Sequence, residues 1–130
     1  MSRVMVELFS GTGRMAKAFS NLGWETYTFD SNPDHNPDFC VDILDVTPAM
    51  IESLNPDVIW AGVDCSCFSM LSVRHYWNHD GSPSSKNFGV KLLNHTITLI
   101  EAIQPTFWAI ENPRGMMRKQ PQLKHWARYH

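Results

Sequence analysis

The stretch VMVELFSGTGRMAKAFSNLG, Val4–Gly23, constrains the fold more than any other part of the chain. A short apolar run, Val4–Phe9, reads as a strand. Gly11-Thr12-Gly13 reads as a tight turn. Arg14–Leu22 then carries Met15, Phe19 and Leu22 at helical spacing, and Gly23 closes it. A strand that turns at once into a helix feeds a parallel sheet, because the helix must carry the chain back before the next strand can pair.

The rest of the sequence repeats that alternation. Trp24–Phe29 is rich in β-formers and ends at Asp30, and SNPDHNPDF after it is a loop by its Asn, Pro and Asp content. Cys40–Ile43 reads as a short strand. Thr47–Leu54 reads as a short helix, with Thr47 as cap and Pro48 in its first position. Val58–Ala61 is a buried strand, residues 70–87 a long polar loop, Phe88–Ile103 an amphipathic helix stopped by Pro105, and Thr106–Ile110 a last apolar strand. The expected fold class is α/β, Rossmann-like, a mostly parallel sheet with helices on both faces. In such sheets ligands sit beyond the C-terminal strand ends. Ser10–Gly13, Asp30, Asp42, Cys65 and Glu111 all fall there.

With 130 residues, 43% hydrophobic and 18% charged, residues 1–130 are expected to form a single domain. The net charge of −2 is unevenly spread. Acids dominate residues 1–60. After Asn112 every charged residue is basic: Arg114, Arg118, Lys119, Lys124 and Arg128. That suits either a polyanion contact or a solvated basic end. No secretory signal or membrane-length apolar run is read from the sequence, and an odd set of 3 cysteines does not make a secreted disulfide framework. The expected compartment is intracellular and reducing, the cytoplasm.

Three motifs carry chemistry. Gly11, Gly13 and Ala16 have the spacing G-x-G-x-x-A between strand and helix, which lets backbone approach a ligand at a helix N-terminus. Asp30 ends the next strand, where an acid can accept from ribose hydroxyls. NAD and S-adenosylmethionine both fit, and a tight turn also wants glycines for its own sake. Cys65, just beyond a buried strand in DVIWAGVDCSCFS, is placed for a nucleophile or is an inert thiol. Cys65, Cys67, His75 and His79 would be the zinc alternative, with a tighter Cys spacing than usual. Glu111 in FWAIENPRG emerges from an apolar strand; desolvation there would favour the protonated form and make it a proton donor. It would otherwise be a turn acid paired with Arg114 or Arg118.

Taken in order, these pieces resemble the DNA cytosine-5 methyltransferases, especially short phage-type members. ELFSGTGRMAKAF is similar to their cofactor loop, FDSNP to the acid after the second strand, CVDILD to the G-D-I element, AGVDCSCFS to the P-C-x-x-F-S nucleophile loop, and IENPRG to the E-N-V element. The similarity runs from about Val4 to Lys119. It implies S-adenosyl-L-methionine as cofactor, held by Phe9, Ser10, Gly11, Thr12, Gly13, Asp30, Ser31, Asp42 and Ile43, with Asp42 at the adenine. It implies DNA as substrate, with the target cytosine flipped from the duplex. Cys65 would be the nucleophile, Glu111 the acid at N3, and Asn112 the residue that positions the Cys65 loop; Cys67 falls on a variable site. The sequence departs from the pattern at Asp64, where the family has proline. A carboxylate there disfavours the neighbouring thiolate and frees the loop. The family's target-recognition region has no counterpart before His130, so the resemblance implies a C-terminally truncated product, a fragment, or one half of a split enzyme whose partner is a second chain supplying the C-terminal half.

Overall fold

The computed structural model describes residues 3–63, 76–111 and 121–123. The chain order is β1 (Val4–Leu8), α1 (Arg14–Asn21), β2 (Glu25–Asp30), β3 (Phe39–Cys40), α2 (Pro48–Glu52), β4 (Val58–Ala61), α3 (Gly89–Ile103) and β5 (Phe107–Ile110). Short 3-10 turns lie at Pro33–His35, Ile43–Asp45 and Pro121–Leu123. The strands form one 5-stranded sheet in the order β3-β2-β1-β4-β5. Every pairing is parallel.

That order reverses between β1 and β4. The chain winds outward one way through β2 and β3, returns across the sheet, and winds the other way through β4 and β5. The crevice at such a reversal, outside the C-terminal strand ends, is where doubly wound sheets bind ligands. β1 is central and all of Val4–Leu8 is buried, as expected of a strand covered on both faces.

Strand parity sorts the core. Val6, Leu8, Ile59 and Ala61 face one way and join Ile51 of α2 and Leu93, Ile97 and Ile100 of α3. Met5 and Val58 face the other way and join Ala16 of α1, with Met15, Phe19, Trp24 and Trp60 around them. Leu93 is fully buried. Leu93→Ala is expected to lower the unfolding free energy by about 2–5 kcal/mol, read from a denaturant titration, by losing transfer energy and leaving a cavity.

Local chemistry sets the ends. Thr47 caps α2 by accepting the Met50 N–H at 3.4 Å, with Pro48 next in line, as the sequence predicts. Gln104 ends α3 in the left-handed region at φ 51, its N–H donating to the Ile100 carbonyl. The third strand differs from expectation. It is Phe39–Cys40 rather than Cys40–Ile43, because the Asp42 carboxylate accepts the Leu44 N–H at 2.9 Å and starts a 3-10 turn instead of extending the ladder. The polar loop also differs in its described part: Trp77 is buried in the main core and pairs with Pro83, so Asn78–Ser82 is a closed turn pinned at its base.

Candidate cofactor and active site

At the end of β1 the chain turns sharply. Phe9 sits in the left-handed region at φ 56, which for a non-glycine residue costs on the order of 1–3 kcal/mol. The turn lets the Ser10 N–H reach the Phe29 carbonyl at 3.0 Å and brings the Ser10 carbonyl to the Gly13 N–H at 2.8 Å. Gly13 is the left-handed N-cap of α1 at φ 75 and is buried, a position that favours glycine. Ser10 is buried too, and its hydroxyl has no hydrogen-bond partner among the described residues. An unsatisfied buried hydroxyl of this kind costs about 1–3 kcal/mol and marks a place where a ligand group would be welcome.

Asp30 ties the ends of β1 and β2 together. Its Oδ2 accepts the Gly11 N–H at 2.7 Å and its Oδ1 accepts the Asn32 N–H at 2.8 Å, with His35 Nδ1 at 3.4 Å. Burial pushes this carboxyl up, but the amides of Asn32 and Gly11 and the His35 ring outweigh it and hold it below the usual carboxylate range. The loop after Asp30 is closed at its far end as well, where Asp38 accepts from the Thr28 N–H and hydroxyl and returns its own N–H to Thr28. Ser31 is exposed on this loop, and Cys40 donates weakly to its carbonyl. Asp42 is exposed, while the adjacent Ile43 is packed in the core at 7% exposure.

Across the reversal, β4 runs out at Ala61 and β5 at Ile110. The Gly62 N–H bonds to Leu8 and the Glu111 N–H to Ala61, so all three strand ends are laced together. A side chain at Gly62 would stand 3.7 Å from the Glu111 carboxylate and 3.9 Å from the Phe9 carbonyl. The Glu111 carboxylate thus lies beside the residue that follows β4, which in turn adjoins the turn after β1. Glu111 is exposed, so the desolvation expected from the sequence is not present at its side chain. The cause is the strand it follows: β5 lies at the edge of the described sheet, and none of Phe107–Ile110 is buried.

The fold therefore brings together Phe9–Gly13, Asp30, Gly62 and Glu111. Cys65, Asn112, Asp64 and Cys67 lie outside the described residues, although Val63, two positions before Cys65, is buried at the same strand ends. Of the zinc alternative only His79 is described, on the exposed turn, and among the described residues no group of three metal-ligating side chains converges. Among the described residues no helix is long and apolar enough to cross a membrane.

One residue was overlooked in the sequence. Glu7 is an acid inside a buried strand, 5% exposed, and its Oε1 accepts the Ala16 N–H at 3.0 Å. Burial nevertheless holds the carboxyl above its usual range. The signal was a carboxylate at an inward position of an otherwise apolar strand, which demands a local partner.

Comparison with known proteins places this geometry. Residues 4–128 match the family described as C-5 cytosine-specific DNA methylase. A probable DNA (cytosine-5)-methyltransferase of Frog virus 3 is 29% identical over 136 aligned positions, covering 96% of this chain and 60% of the viral protein. The chain thus spans 60% of that curated relative's length. Among solved structures, a Spodoptera frugiperda DNMT2 variant superposes with a TM-score of 0.61 at 20% identity, over 93% of this chain and 38% of that one. The Entamoeba histolytica methyltransferase EhMeth gives 0.61 at 16% identity, over 95% and 42%. At that identity the two structures speak for the fold, a Rossmann-like methyltransferase fold. The match over nearly the whole chain shows that this protein belongs to the C-5 cytosine-specific DNA methylase family.

Proposed function

We propose that the chain is the catalytic part of an S-adenosylmethionine-dependent DNA cytosine-5 methyltransferase, working through a covalent cysteine adduct. The observation that carries this reading is the meeting of the β1 turn with Gly62 and the Glu111 carboxylate at the sheet's reversal, on the strand that leads to Cys65. The residues fit the cofactor. A glycine turn admits its adenosine and methionine parts to the backbone, the orphaned Ser10 hydroxyl offers a bond, and Asp30 and Asp42 are carboxylates at adjoining strand ends. When bound, S-adenosylmethionine supplies a methyl group made electrophilic by a sulfonium.

The chain's own residues do the rest. C5 of cytosine is a poor nucleophile. Cys65 Sγ, as thiolate, forms a bond to C6, and Glu111 gives a proton to N3, so the ring electrons are released toward C5. C5 would take the methyl group as the sulfonium carbon–sulfur bond breaks and leaves a neutral thioether. Loss of the C5 proton to water would then restore the ring and break the bond to Cys65, and N3 would return its proton to Glu111. Asn112 holds the loop that carries Cys65. Phe9, Gly11, Thr12, Gly13, Ser31 and Ile43 complete the cofactor side. The target base is flipped out of DNA to reach Cys65.

The test is transfer of labelled methyl from S-adenosylmethionine to DNA, with and without a polypeptide covering the remaining part of a relative. No transfer in either case would overturn the enzyme reading. A second reading, a silent remnant that binds the cofactor without transfer, is favoured by Asp64 beside Cys65. Calorimetric binding without transfer would support it.

Ser10→Ala separates binding from folding. The variant is expected to melt no lower than wild type, since it removes an unsatisfied group, yet to bind S-adenosylmethionine about 2- to 12-fold more weakly, the worth of one net hydrogen bond. Unchanged affinity in calorimetry would take Ser10 out of the site.

A further inference from the structure

Asp42 stands where the sheet gives it little support. β3 is Phe39–Cys40 alone, and past it the Val41 N–H still bonds to the Asp30 carbonyl at 3.0 Å. From Asp42 on, the chain is a turn whose own bonds set its shape. The Leu44 N–H donates to the Asp42 carboxylate at 2.9 Å, the Asp45 N–H to the Asp42 carbonyl at 2.9 Å, and the Val46 N–H to the Ile43 carbonyl at 3.0 Å. Bonds inside a turn fix its form and not its place. Ile43 and Val46 are buried in the main core, but apolar packing is non-directional. Direction comes from α3. His95 Nε2 lies 2.7 Å from the Val46 carbonyl, 49 residues away in sequence. A carbonyl only accepts, so the ring carries its proton on Nε2. His95 is half-buried and Val46 is 1% exposed, so water competes poorly for that carbonyl.

We infer that His95 is a positioning residue for the cofactor: it pins the Val46 end of the turn to α3 and so holds the Asp42 carboxylate at its strand end. This rests on the cofactor reading above, in which Asp42 meets the adenine. His95 touches no ligand in this role and acts through the backbone of Val46. Without the bond, the turn keeps its internal hydrogen bonds and its apolar contacts but is free to rock against α3. Binding then carries the cost of ordering it.

The experiment is calorimetry of S-adenosylmethionine on the 130-residue chain, on His95→Phe, His95→Gln and Asp42→Ala, and on the double variant His95→Phe with Asp42→Ala, each checked for folding by circular dichroism. Phenylalanine keeps a ring and removes the donor; glutamine restores a donor at similar reach. His95→Phe is expected to bind about 2- to 12-fold more weakly, the worth of one net hydrogen bond, and His95→Gln to recover most of that loss. In the Asp42→Ala background the same change should cost less than about twofold, because the group it positions is gone. A merely structural histidine would weaken binding by the same factor in both backgrounds, and that result overturns the inference. A folded His95→Phe with wild-type affinity overturns it too. If His95→Phe does not fold, His95→Asn, whose amide is too short to reach the carbonyl, is judged by the same two criteria. If neither folds, nitrogen NMR of the wild-type His95 ring decides. Slower exchange of the Nε2 proton on adding S-adenosylmethionine sustains the inference; a proton on Nδ1, or unchanged exchange, overturns it. If wild type binds S-adenosylmethionine and Asp42→Ala binds it as tightly, the inference falls and the cofactor reading stands. If wild type does not bind it, both fall.

Discussion

DNA carrying 5-fluorocytosine, incubated with the chain and S-adenosylmethionine, is expected to be captured as a covalent adduct at Cys65. Cys65→Ser should abolish the adduct and Cys67→Ser should leave it. Fluorine at C5 cannot depart as a proton does, so the ring stays bonded to the sulfur once methylated. Serine cannot replace the thiol, because a hydroxyl is hardly ionised near neutral pH while a thiol is partly so. Removal of a nucleophile typically costs on the order of 10³-fold or more in rate. Asp64 bears on the same step. A carboxylate next to the thiol disfavours the thiolate, so Asp64→Asn should speed adduct formation and shift its pH profile downward. Mass spectrometry of the trapped peptide is the measurement. An adduct on Cys67 would move the nucleophile to the other thiol. Where the isolated chain forms none, the reaction is repeated with a polypeptide covering the remaining part of a relative.

The alternation of apolar strands and helices was readable because each element obeys its own period. Val58–Ala61 and the Thr47-Pro48 start of α2 stand where the sequence predicts them, since a buried strand and a capped helix are specified by residues close in sequence. The third strand was misplaced because Asp42 could serve either the ladder or a cap, and only the surrounding fold decides that competition. Trp77 was hidden in a polar context; nothing in its neighbours along the chain tells that the core needs it. The glycine turn after β1 and Asp30 at the end of β2 stand where the sequence predicts them, at the C-terminal strand ends. Asp30 is expected to accept from ribose hydroxyls; in the fold its carboxylate accepts the Gly11 and Asn32 N–H groups, and the bond to Gly11, 19 residues away, has no periodic trace. Glu7 was legible only as an interruption of an apolar run, because its partner is the first turn of the following helix. Glu111 stands at the predicted strand end but is exposed, because β5 is an edge strand of the described sheet and an apolar run alone does not tell which strand the fold leaves at an edge.

That position gives Glu111 a distinct test. Glu111→Gln is expected to lower methyl transfer by about 10²- to 10⁴-fold, the usual contribution of a positioned acid. The amide can still donate a hydrogen bond to N3, but it has no proton to surrender, so negative charge develops on the ring when Cys65 attacks. Folding should be spared, because an exposed surface substitution shifts stability by no more than about 0.5 kcal/mol. Cofactor affinity should also be spared, since the adenosine-side groups Ser10, Asp30 and Asp42 belong to other strand ends. The expected pattern is a loss in the transfer rate with an unchanged dissociation constant for S-adenosylmethionine and an unchanged melting temperature. The exposure of Glu111 adds a constraint. Without burial, its effectiveness as an acid must arise when the flipped base covers it and excludes water. Transfer measured against pH should then lose the acid's contribution in Glu111→Gln throughout the range. A Gln variant that transfers methyl at the wild-type rate would leave Glu111 as a turn acid for Arg114 or Arg118 and would require another proton donor for N3.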